Sequence, residues 1–187
     1  TLIDAKDGGY LNMIQYCKRC CLPSTKPHLS FDEEGICNAC RNYENRKNVD
    51  WDERKKELLD ILDRYRSKDG SNWDCIIPVS GGKDSTYQVV TMLELGMNPL
   101  CVTATTCDLT EIGRKNIENI KKMGVDYIEV TTNRVVRAKL NRIGLIEVGD
   151  ISWPEHVSIF TVPVRMAANF NVPFIFWGGN FPNEYGG

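Results

Sequence analysis

The chain has 187 residues, enough for one sizeable domain and a small additional module. Its 42% hydrophobic and 26% charged residues are typical of a globular protein, and a formal net charge of −2 argues against a protein that mainly grips nucleic acid. No apolar run approaches the roughly 18 residues of a membrane span, and no secretory signal opens the chain, so a cytoplasmic protein is expected.

The first patterned segment, at residues 13–48, is rich in cysteine and is predicted to be a zinc-binding module. Cys17 and Cys20 form one C-x2-C pair and Cys37 and Cys40 form a second, with sixteen residues between the pairs. Four thiolates from two such turns complete a closed tetrahedral site for structural zinc. So short a segment cannot fold by burial alone, and zinc contributes on the order of 10 kcal/mol in small modules.

The surroundings of these four cysteines leave alternatives open. Cys21 is an alternative ligand to Cys20, and His28 is another, although a histidine in a Pro-flanked loop is usually solvated. Residues 1–12 are expected to be a tail or a cloning remnant outside the folded domains. The chain stops at Gly187 within what reads as a loop, which suggests a truncated polypeptide.

Residues 49–72 are predicted to form a linking helix. Asp50 followed by Glu53 is typical of a helix start, and Leu58 and Leu62 recur on one face. The sequence Asp-Gly-Ser-Asn at residues 69–72 indicates the turn after the helix.

From residue 73 to residue 187 short apolar runs alternate with helical patterns, which predicts an α/β domain with a parallel sheet covered on both faces. Ligands in such sheets bind at the carboxyl ends of the strands, at the switch point. Strands are predicted at residues 75–79, 99–103, 127–130 and 173–177. Helices are predicted at residues 85–95, from about Asp108 to Met123, at residues 134–147, and from Thr161 as N-cap to Phe170.

A glycine loop at residues 80–85 joins the first predicted strand to the first helix of this domain. Gly81 and Gly82 allow a tight turn and the close approach of an anion to backbone N–H groups. The helix N-terminus and the hydroxyls of Ser80 and Ser85 favour negative charge, and Lys83 adds a mobile cation. The loop therefore predicts a phosphate-binding site.

This glycine loop differs from a Walker P-loop, because Ile77 stands where a glycine is needed and Asp84 follows the lysine. Asp84 suits an anion site if it holds a magnesium ion that accompanies the phosphate. The hexapeptide SGGKDS resembles the SGGxDS loop of the ATP pyrophosphatase (PP-loop) superfamily. The resemblance implies an adenine nucleotide α-hydrolase-like fold and binding of the β- and γ-phosphates of ATP.

The chemistry that this resemblance implies is adenylation. An amide oxygen attacks the α-phosphorus of ATP, pyrophosphate leaves, and a nucleophile then displaces AMP. In this superfamily the end of the second strand reads the adenine through its backbone, and in this chain the matching residues are Val102, Thr103, Ala104 and Thr105.

Five motifs in order, YCKRC, FDEEGICNAC, PVSGGKDS, WPEH and NEYGG, resemble the N-acetyl sugar amidotransferases of bacterial surface-polysaccharide (lipopolysaccharide O-antigen) biosynthesis. The resemblance spans residues 15–187. It implies conversion of the acetamido group of a nucleotide-linked sugar to an acetamidino group, with ATP, Mg²⁺ and structural Zn²⁺. It also implies two partners, a glutaminase that supplies ammonia and a cyclase-like subunit that channels it.

Within the WPEH motif, Glu155 and His156 are expected just before the fourth helix, where they orient the sugar amide or accept a proton from ammonia, or simply cap the helix. One departure concerns the magnesium site. The family pattern has an acidic residue in a GEN sequence where this chain has Gly179, and Glu184 is the nearest replacement.

Two other functions fit parts of the sequence. Cys107 follows the second strand and, together with the eight Lys/Arg and three Asp/Glu of residues 114–142, would suit a PP-loop enzyme that thiolates tRNA. The net charge and the lack of a second C-x2-C after the glycine loop argue against this alternative. The third possibility is a catalytically silent module that binds ATP or AMP.

Overall fold

The computed structural model describes residues 14–105 and 109–179, which divide into two compact units. The amino-terminal unit is built on residues 14–53, and the sheet unit comprises residues 54–178. Within the described part of the chain, every helix is too short or too polar to cross a membrane.

The amino-terminal unit is held together by short bridges and turns, not by a core of its own. Antiparallel bridges join Tyr16 to Pro23 and Phe31 to Cys37, and the helix α1 (Asn38–Asn45) follows, with a 3-10 turn at Arg46–Asn48. No residue of α1 is buried. Among residues 14–53 none belongs to a hydrophobic core cluster, so this part of the chain lacks the buried apolar surface that stabilises larger domains.

An ion-pair network supports the second cysteine turn. Arg41 on α1 lies 2.6 Å from carboxylate oxygens of both Asp32 and Glu34. The Asp32 carboxylate also accepts a hydrogen bond of 2.8 Å from the backbone N–H of Ile36. That N–H donor, followed by Arg41, lowers the pKa of Asp32, so the turn before Cys37 is held at neutral pH by an ionised carboxylate.

The predicted helix start at Asp50 is confirmed. Helix α2 spans Trp51–Tyr65, and the Asp50 carboxylate accepts from the backbone N–H groups of Asp52 and Glu53 at 3.1 and 3.0 Å. From residue 54 onward α2 belongs to the sheet unit, where Leu62 is 1% exposed.

The predicted parallel sheet is confirmed for three strands among the described residues: β1 (Cys75–Pro78), β2 (Pro99–Thr105) and β3 (Asp126–Thr131). Their order is β1-β2-β3, and both pairs are parallel. β1 and most of β2 are buried on both faces, because helices cover both sides of a parallel sheet.

The fourth predicted strand, residues 173–177, is not a regular strand. Its Ile175 forms a single parallel bridge with Ile76, on the side of β1 away from β2. The bridge has two hydrogen bonds, from Ile76 N–H to the Phe174 carbonyl at 2.9 Å and from Phe176 N–H to the Ile76 carbonyl at 2.8 Å. The next rung of a parallel ladder would need an N–H from residue 78, which is Pro78, so the ladder stops after one rung.

Helices α3 (Lys83–Glu94) and α4 (Glu111–Lys121) cover one face of the sheet together with α2, and α6 (Trp153–Phe170) covers the other. The first face buries Leu62, Val89, Met92 and Ile120, and the second buries Val162 and Val172. Because the chain returns to the far side of β1 after α6, the switch point lies at the carboxyl end of β1.

All four helices of the sheet unit after β1 differ from their predicted bounds, the first three by a few residues. α3 begins at Lys83, so the last three residues of the glycine loop form its first turn. α4 begins at Glu111, because the Thr110 hydroxyl caps it by accepting from Gly113 N–H at 3.1 Å; the predicted start at Asp108 lies outside the described residues. Helix α5 spans Arg134–Ile143 and is followed by one π-helical turn at Gly144–Val148, where a regular helix to residue 147 was predicted.

The largest correction concerns α6, which begins at Trp153 and not near Thr161. Pro154 in its first turn favours this start, since proline lacks an N–H that the first turn leaves unbonded. The Thr161 hydroxyl bonds back to the Val157 carbonyl at 2.7 Å, which satisfies it inside the helix. Glu155 and His156 therefore lie on the first turn of α6 and not before the helix.

The C-terminal end of α3 is capped by a side chain from just after α2. The Arg66 guanidinium donates to the Leu95 carbonyl at 3.0 Å and to the Gly96 carbonyl, at the position where Gly96 adopts a φ of +73°. A cation at the carboxyl end of a helix satisfies its free carbonyls and complements its dipole.

Replacing Leu62 with alanine is expected to lower the free energy of unfolding of the sheet unit by about 2–4 kcal/mol, because the cavity opens beneath fully buried neighbours on β1 and α3. Ile61, which is 39% exposed on the same helix, is the matched control, and Ile61→Ala is expected to cost less than about 1 kcal/mol. Urea denaturation measures both. Equal losses for the two variants would show that α2 does not pack as described.

Candidate functional site

The four predicted cysteine ligands come together in the amino-terminal unit. The sulfurs of Cys17, Cys20, Cys37 and Cys40 all lie within 4.8 Å of one another. The sulfurs lie 3.5 Å apart in Cys20 and Cys37 and 4.0 Å apart in Cys17 and Cys40. Tetrahedral zinc with bonds of about 2.3 Å places its sulfurs about 3.8 Å apart, so the cluster fits this ion.

Backbone N–H groups prepare one of these sulfurs for a cation. Burial alone raises the pKa of the Cys17 thiol, but N–H donors from Cys20, Cys37 and Arg19 outweigh it and lower that pKa to about 6. Burial and the neighbouring sulfurs raise the pKa of Cys40 to about 12. One thiolate thus forms readily, whereas four together need a metal ion to balance their charge.

The two alternative ligands are not in this cluster. Cys21 and His28 both lie outside the group of four sulfurs, and each adopts a φ of +60°. The four thiolates leave no open coordination position, so the donor set suits a structural zinc ion and not a catalytic one.

The glycine loop lies at the switch point of the sheet unit, directly after β1. Gly81 adopts a φ of +77°, a conformation that favours glycine, and a Cβ there would lie 3.2 Å from both Asn116 Cβ and Ile117 Cγ1 of α4. Gly82 is the N-cap of α3, with an extended backbone and only the Ser80 hydroxyl near a Cβ position. The two glycines therefore have different roles. Gly81 provides a left-handed backbone conformation, and Gly82 leaves the space above the loop open because it has no side chain.

Few of the loop's N–H groups are engaged within the described part of the chain. Ser80 N–H donates to the Ser85 hydroxyl and Gly82 N–H to the Ser80 hydroxyl, both at a long 3.4 Å. The backbone N–H groups of Gly81, Lys83 and Asp84 have no acceptor among the described residues. Free N–H groups at a helix N-terminus, after a left-handed glycine, are the usual chemistry of a phosphate site.

The charged residues of the loop face solvent. Lys83 Nζ lies 2.7 and 2.9 Å from the two carboxylate oxygens of Asp84, and the side chains are 88% and 75% exposed. So exposed a pair contributes little to stability, and either side chain can turn to a ligand at low cost. Asp84 is one carboxylate, which suits Mg²⁺ only when substrate phosphates supply further oxygens.

The four residues proposed for adenine lie at the carboxyl end of β2, beside the loop. The Val102 carbonyl accepts from Val79 N–H at 2.9 Å, whereas β1 itself ends at Pro78. Ala104 follows two residues later and so turns its backbone groups to the same side, beyond the end of β1. Thr103 also links the end of β2 to the residue after β1, since its buried hydroxyl donates to the Val79 carbonyl at 2.6 Å.

Thr105 ends β2 in a polar network that sequence reasoning missed. Its carbonyl accepts from Arg137 of α5 at 3.0 Å, and Arg137 Nε lies 3.7 Å from the Glu155 carboxylate. Asn141, one turn further along α5, donates to the same Glu155 oxygen at 2.8 Å. Glu155 is thereby joined to the strand edge proposed to bind adenine.

His156 is not part of this network. Its ring lies 3.9 Å from the Asp150 carboxylate, and its side chain is 60% exposed. The two WPEH residues proposed for the sugar amide therefore have different surroundings, and their roles stay predictions.

The residue before the expected acidic position has a close neighbour. A Cβ on Gly178 would lie 2.6 Å from Gln88 Oε1, so a side chain at residue 178 requires the Gln88 amide to move. Gly179 is exposed. Glu184, the proposed replacement for the missing acid, and Cys107, the basis of the thiolation alternative, lie outside the described residues.

Several basic side chains of residues 114–142 form ion pairs within the chain. Arg114 lies 2.8 Å from Glu129, Lys121 lies 2.7 Å from Glu118, and Arg137 is 14% exposed beside Glu155. The hydrogen bond from Arg114 lowers the pKa of Glu129. These contacts favour the interpretation of the stretch as ordinary helix surface.

Comparisons with known proteins bear on the fold. No family model matches the chain. An uncharacterized protein of Methanocaldococcus jannaschii is 30% identical over 99 residues, which are 52% of this chain and 35% of that protein. The chain therefore spans about a third of the length of the curated relative that it matches.

Comparison with solved structures gives matches of different strength. The NH3-dependent NAD synthetase of Campylobacter jejuni matches with a TM-score of 0.50 and 13% identity, over 73% of this chain and 59% of that one. NMN synthetase of Francisella tularensis matches at 0.45 and 14%, over 64% and 51%. A predicted subunit of a tRNA methyltransferase of Methanocaldococcus jannaschii matches at 0.41 and 21%, over 57% and 53%.

The likeness to the NAD synthetase, at this identity, is one of fold. The sheet unit is an α/β domain with a parallel sheet of the NAD-synthetase-like type, with a glycine loop at its switch point. More particularly, this chain combines that domain with a four-cysteine metal-binding cluster that precedes it.

Proposed function

We propose that the chain belongs to an ATP-dependent amidotransferase that converts the acetamido group of a nucleotide-linked sugar to an acetamidino group. The observation that carries the proposal is the glycine loop, which presents free N–H groups at the switch point of an NAD-synthetase-like sheet. The motif order from the cysteine pairs to WPEH supports the sugar as acceptor. The NH3-dependent NAD synthetase of similar fold supports ammonia as the nitrogen source.

In the first step the acetamido oxygen attacks the α-phosphorus of ATP, the bond to pyrophosphate breaks, and an adenylated imidate forms. The glycine loop holds the β- and γ-phosphates through its N–H groups, and Lys83 leaves Asp84 to neutralise them. Asp84 is then free to hold Mg²⁺ together with the phosphates. The end of β2 positions the adenine.

In the second step ammonia attacks the imidate carbon, the C–O bond to AMP breaks, and the amidine forms. Glu155 orients the acetamido group or takes the proton that the attacking nitrogen loses. Ammonia comes from a separate glutaminase through a cyclase-like partner, in the cytoplasm. Cys17, Cys20, Cys37 and Cys40 would hold a zinc ion with no open coordination position, so that ion would have a structural role in the amino-terminal unit.

The test is pyrophosphate release from labelled ATP. The expected result is release that requires a UDP-linked diacetamido sugar, with a second turnover step that requires ammonium, and a sugar product about one mass unit lighter because NH replaces O. Dependence on tRNA and a sulfur donor would support thiolation instead. Nucleotide binding without any release would leave a silent module.

A further inference from the structure

A cavity of about 240 Å³ lies between the beginnings of α5 and α6. Thr132, the residue after β3, lines it together with the first turns of α6, so it lies at the carboxyl edge of the sheet, where the glycine loop also lies. Trp153 and Pro154 of the WPEH motif form part of its wall. Pockets that take a whole ligand usually start at about 300 Å³, so a cavity of this size suits one substituent of a larger molecule.

Most of the cavity wall is apolar and remains open to solvent. Besides the buried Pro154, four apolar side chains line the cavity and are 40% to 52% exposed: Val136, Leu140, Trp153 and Val157. An apolar group of a ligand would remove this surface from water, which is a usual source of affinity in ligand pockets. The wall therefore favours a ligand that carries a methyl group or an apolar ring face.

One donor group in this wall has no acceptor. The Arg137 side chain lines the cavity and is 14% exposed, and its Nη1 donates to the Thr105 carbonyl at 3.0 Å and the Thr132 hydroxyl at 3.1 Å. In the described part of the chain, its Nη2 donates to no acceptor. The Glu155 carboxylate lies 3.7 Å from Nε and offsets the positive charge of Arg137. A neutral acceptor therefore suits Nη2 better than an anion, whose charge would be unbalanced.

The other polar side chains of the cavity are engaged within the protein. The Thr132 hydroxyl accepts from Arg137, and Asn133 Oδ1 accepts from two backbone N–H groups at the start of α5, at 3.0 and 3.1 Å. The Ser158 hydroxyl donates to the Pro154 carbonyl at 3.0 Å. A ligand that has to donate hydrogen bonds, such as the amino edge of adenine, therefore finds its acceptors occupied. A carbonyl oxygen is the ligand group that suits the free Nη2 of Arg137.

We infer that this cavity binds the acetamido group of the sugar that is not converted, with its carbonyl oxygen on Arg137 Nη2 and its methyl group against Trp153. An acetamido group combines the neutral acceptor and the methyl group that the wall favours. β3 ends two strands from β1, about 10 Å away at roughly 4.8 Å per strand. A group in the cavity thus lies to one side of the glycine loop, which leaves the other acetamido group free to meet the α-phosphorus. This inference rests on the proposed function and names its acceptor as a sugar with two acetamido groups.

The test compares a UDP-linked diacetamido sugar with the two sugars that carry a hydroxyl in place of one of its acetamido groups. Isothermal titration calorimetry measures their Kd values without ATP or ammonia. In the wild type at least one replacement is expected to weaken binding about 10- to 100-fold, because it removes a hydrogen bond to a charged group and a buried methyl group.

Two variants alter the cavity and a third is the matched control. Val157→Phe fills the cavity, and Arg137→Lys keeps the charge beside Glu155 but loses the planar fork, so both are expected to reduce that penalty to less than about threefold. Val164→Phe, at a 51% exposed position of α6 outside the cavity wall, is expected to keep the wild-type preference.

Two further measurements separate this inference from the proposed function. The Kd for ATP is expected to change less than about threefold in Val157→Phe and Arg137→Lys, and a larger loss for ATP than for the sugar would assign the cavity to the nucleotide and overturn the inference. A wild type without the preference, or a preference that either variant keeps or that Val164→Phe also loses, would overturn it as well, and pyrophosphate release would still test the proposed function. If both variants lose the preference but the wild type releases no pyrophosphate, the proposed function fails and the subsite stands.

Discussion

Gly81→Ala is expected to lower the rate of pyrophosphate release at least about 100-fold. The backbone at residue 81 has a φ of +77°, which an alanine adopts at a cost of about 1–2 kcal/mol. The new Cβ would also press on α4, where Asn116 and Ile117 atoms lie 3.2 Å away and the Gly113 carbonyl oxygen 3.3 Å away. Relief of both requires the loop to move, and its N–H groups then no longer converge on the diphosphate.

Two control variants separate loop geometry from general strain. Gly70 has a φ of +69° with nothing within 4 Å of a Cβ position, so Gly70→Ala carries the same backbone strain and is expected to retain activity. Gly82→Ala keeps an ordinary backbone and meets only the Ser80 hydroxyl at 3.3 Å. It is expected to fold like wild type while raising the KM for ATP, because a methyl group occupies the approach of the anion. Full activity of Gly81→Ala would end the assignment of this loop to phosphate binding.

Cys20→Ser is expected to abolish stoichiometric zinc binding and to unfold the amino-terminal unit. The Cys20 sulfur lies 3.5 Å from that of Cys37, and α1 buries no residue that would hold the unit without the metal. Structural zinc contributes on the order of 10 kcal/mol in small modules, far more than the exposed ion pairs around Arg41. Zinc content by atomic emission and the rate of proteolysis within residues 14–53 measure the two effects.

The adjacent cysteine provides the control. Cys21→Ser removes a thiol one residue away that is outside the cluster, and this variant is expected to bind one zinc per chain and to resist protease as wild type does. If Cys21→Ser lost the metal and Cys20→Ser kept it, the ligand set described here would be wrong. A chelator is expected to reproduce the Cys20→Ser pattern in the wild-type protein.

Local signals predicted most of the sheet unit. Gly96 and Gly124 adopt left-handed conformations at the ends of α3 and α4. Short continuous apolar runs are typical of buried strands, and the alternation of such runs with helical patterns predicted β1, β2 and β3. The spacing of the two cysteine pairs was enough to predict the four-sulfur cluster. In these places the chain's local preference and its tertiary contacts agree.

Where the prediction failed, a single proline or a distant partner decided the outcome. Pro78 has no N–H to donate to residues 173–177, so the pairing stops after one bridge. This effect depends on the register between the two segments and not on the local sequence pattern. Thr161 before Pro163 resembles a helix start, yet Pro163 is buried inside one helix that runs from Trp153. Asn141 reads as surface in an amphipathic helix, and only its contact with Glu155 of α6 reveals a polar cluster.

Arg66 caps the C-terminal end of helix α3. Its guanidinium closes the carbonyl end of the helix at Leu95 and Gly96, while the opposite end carries the loop with its free N–H groups. Without Arg66 the last turn of α3 would lose both of these donors and fray. The loop end lies some three turns away, beyond the reach of a terminal charge effect that falls off within one turn, so it is expected to keep its geometry.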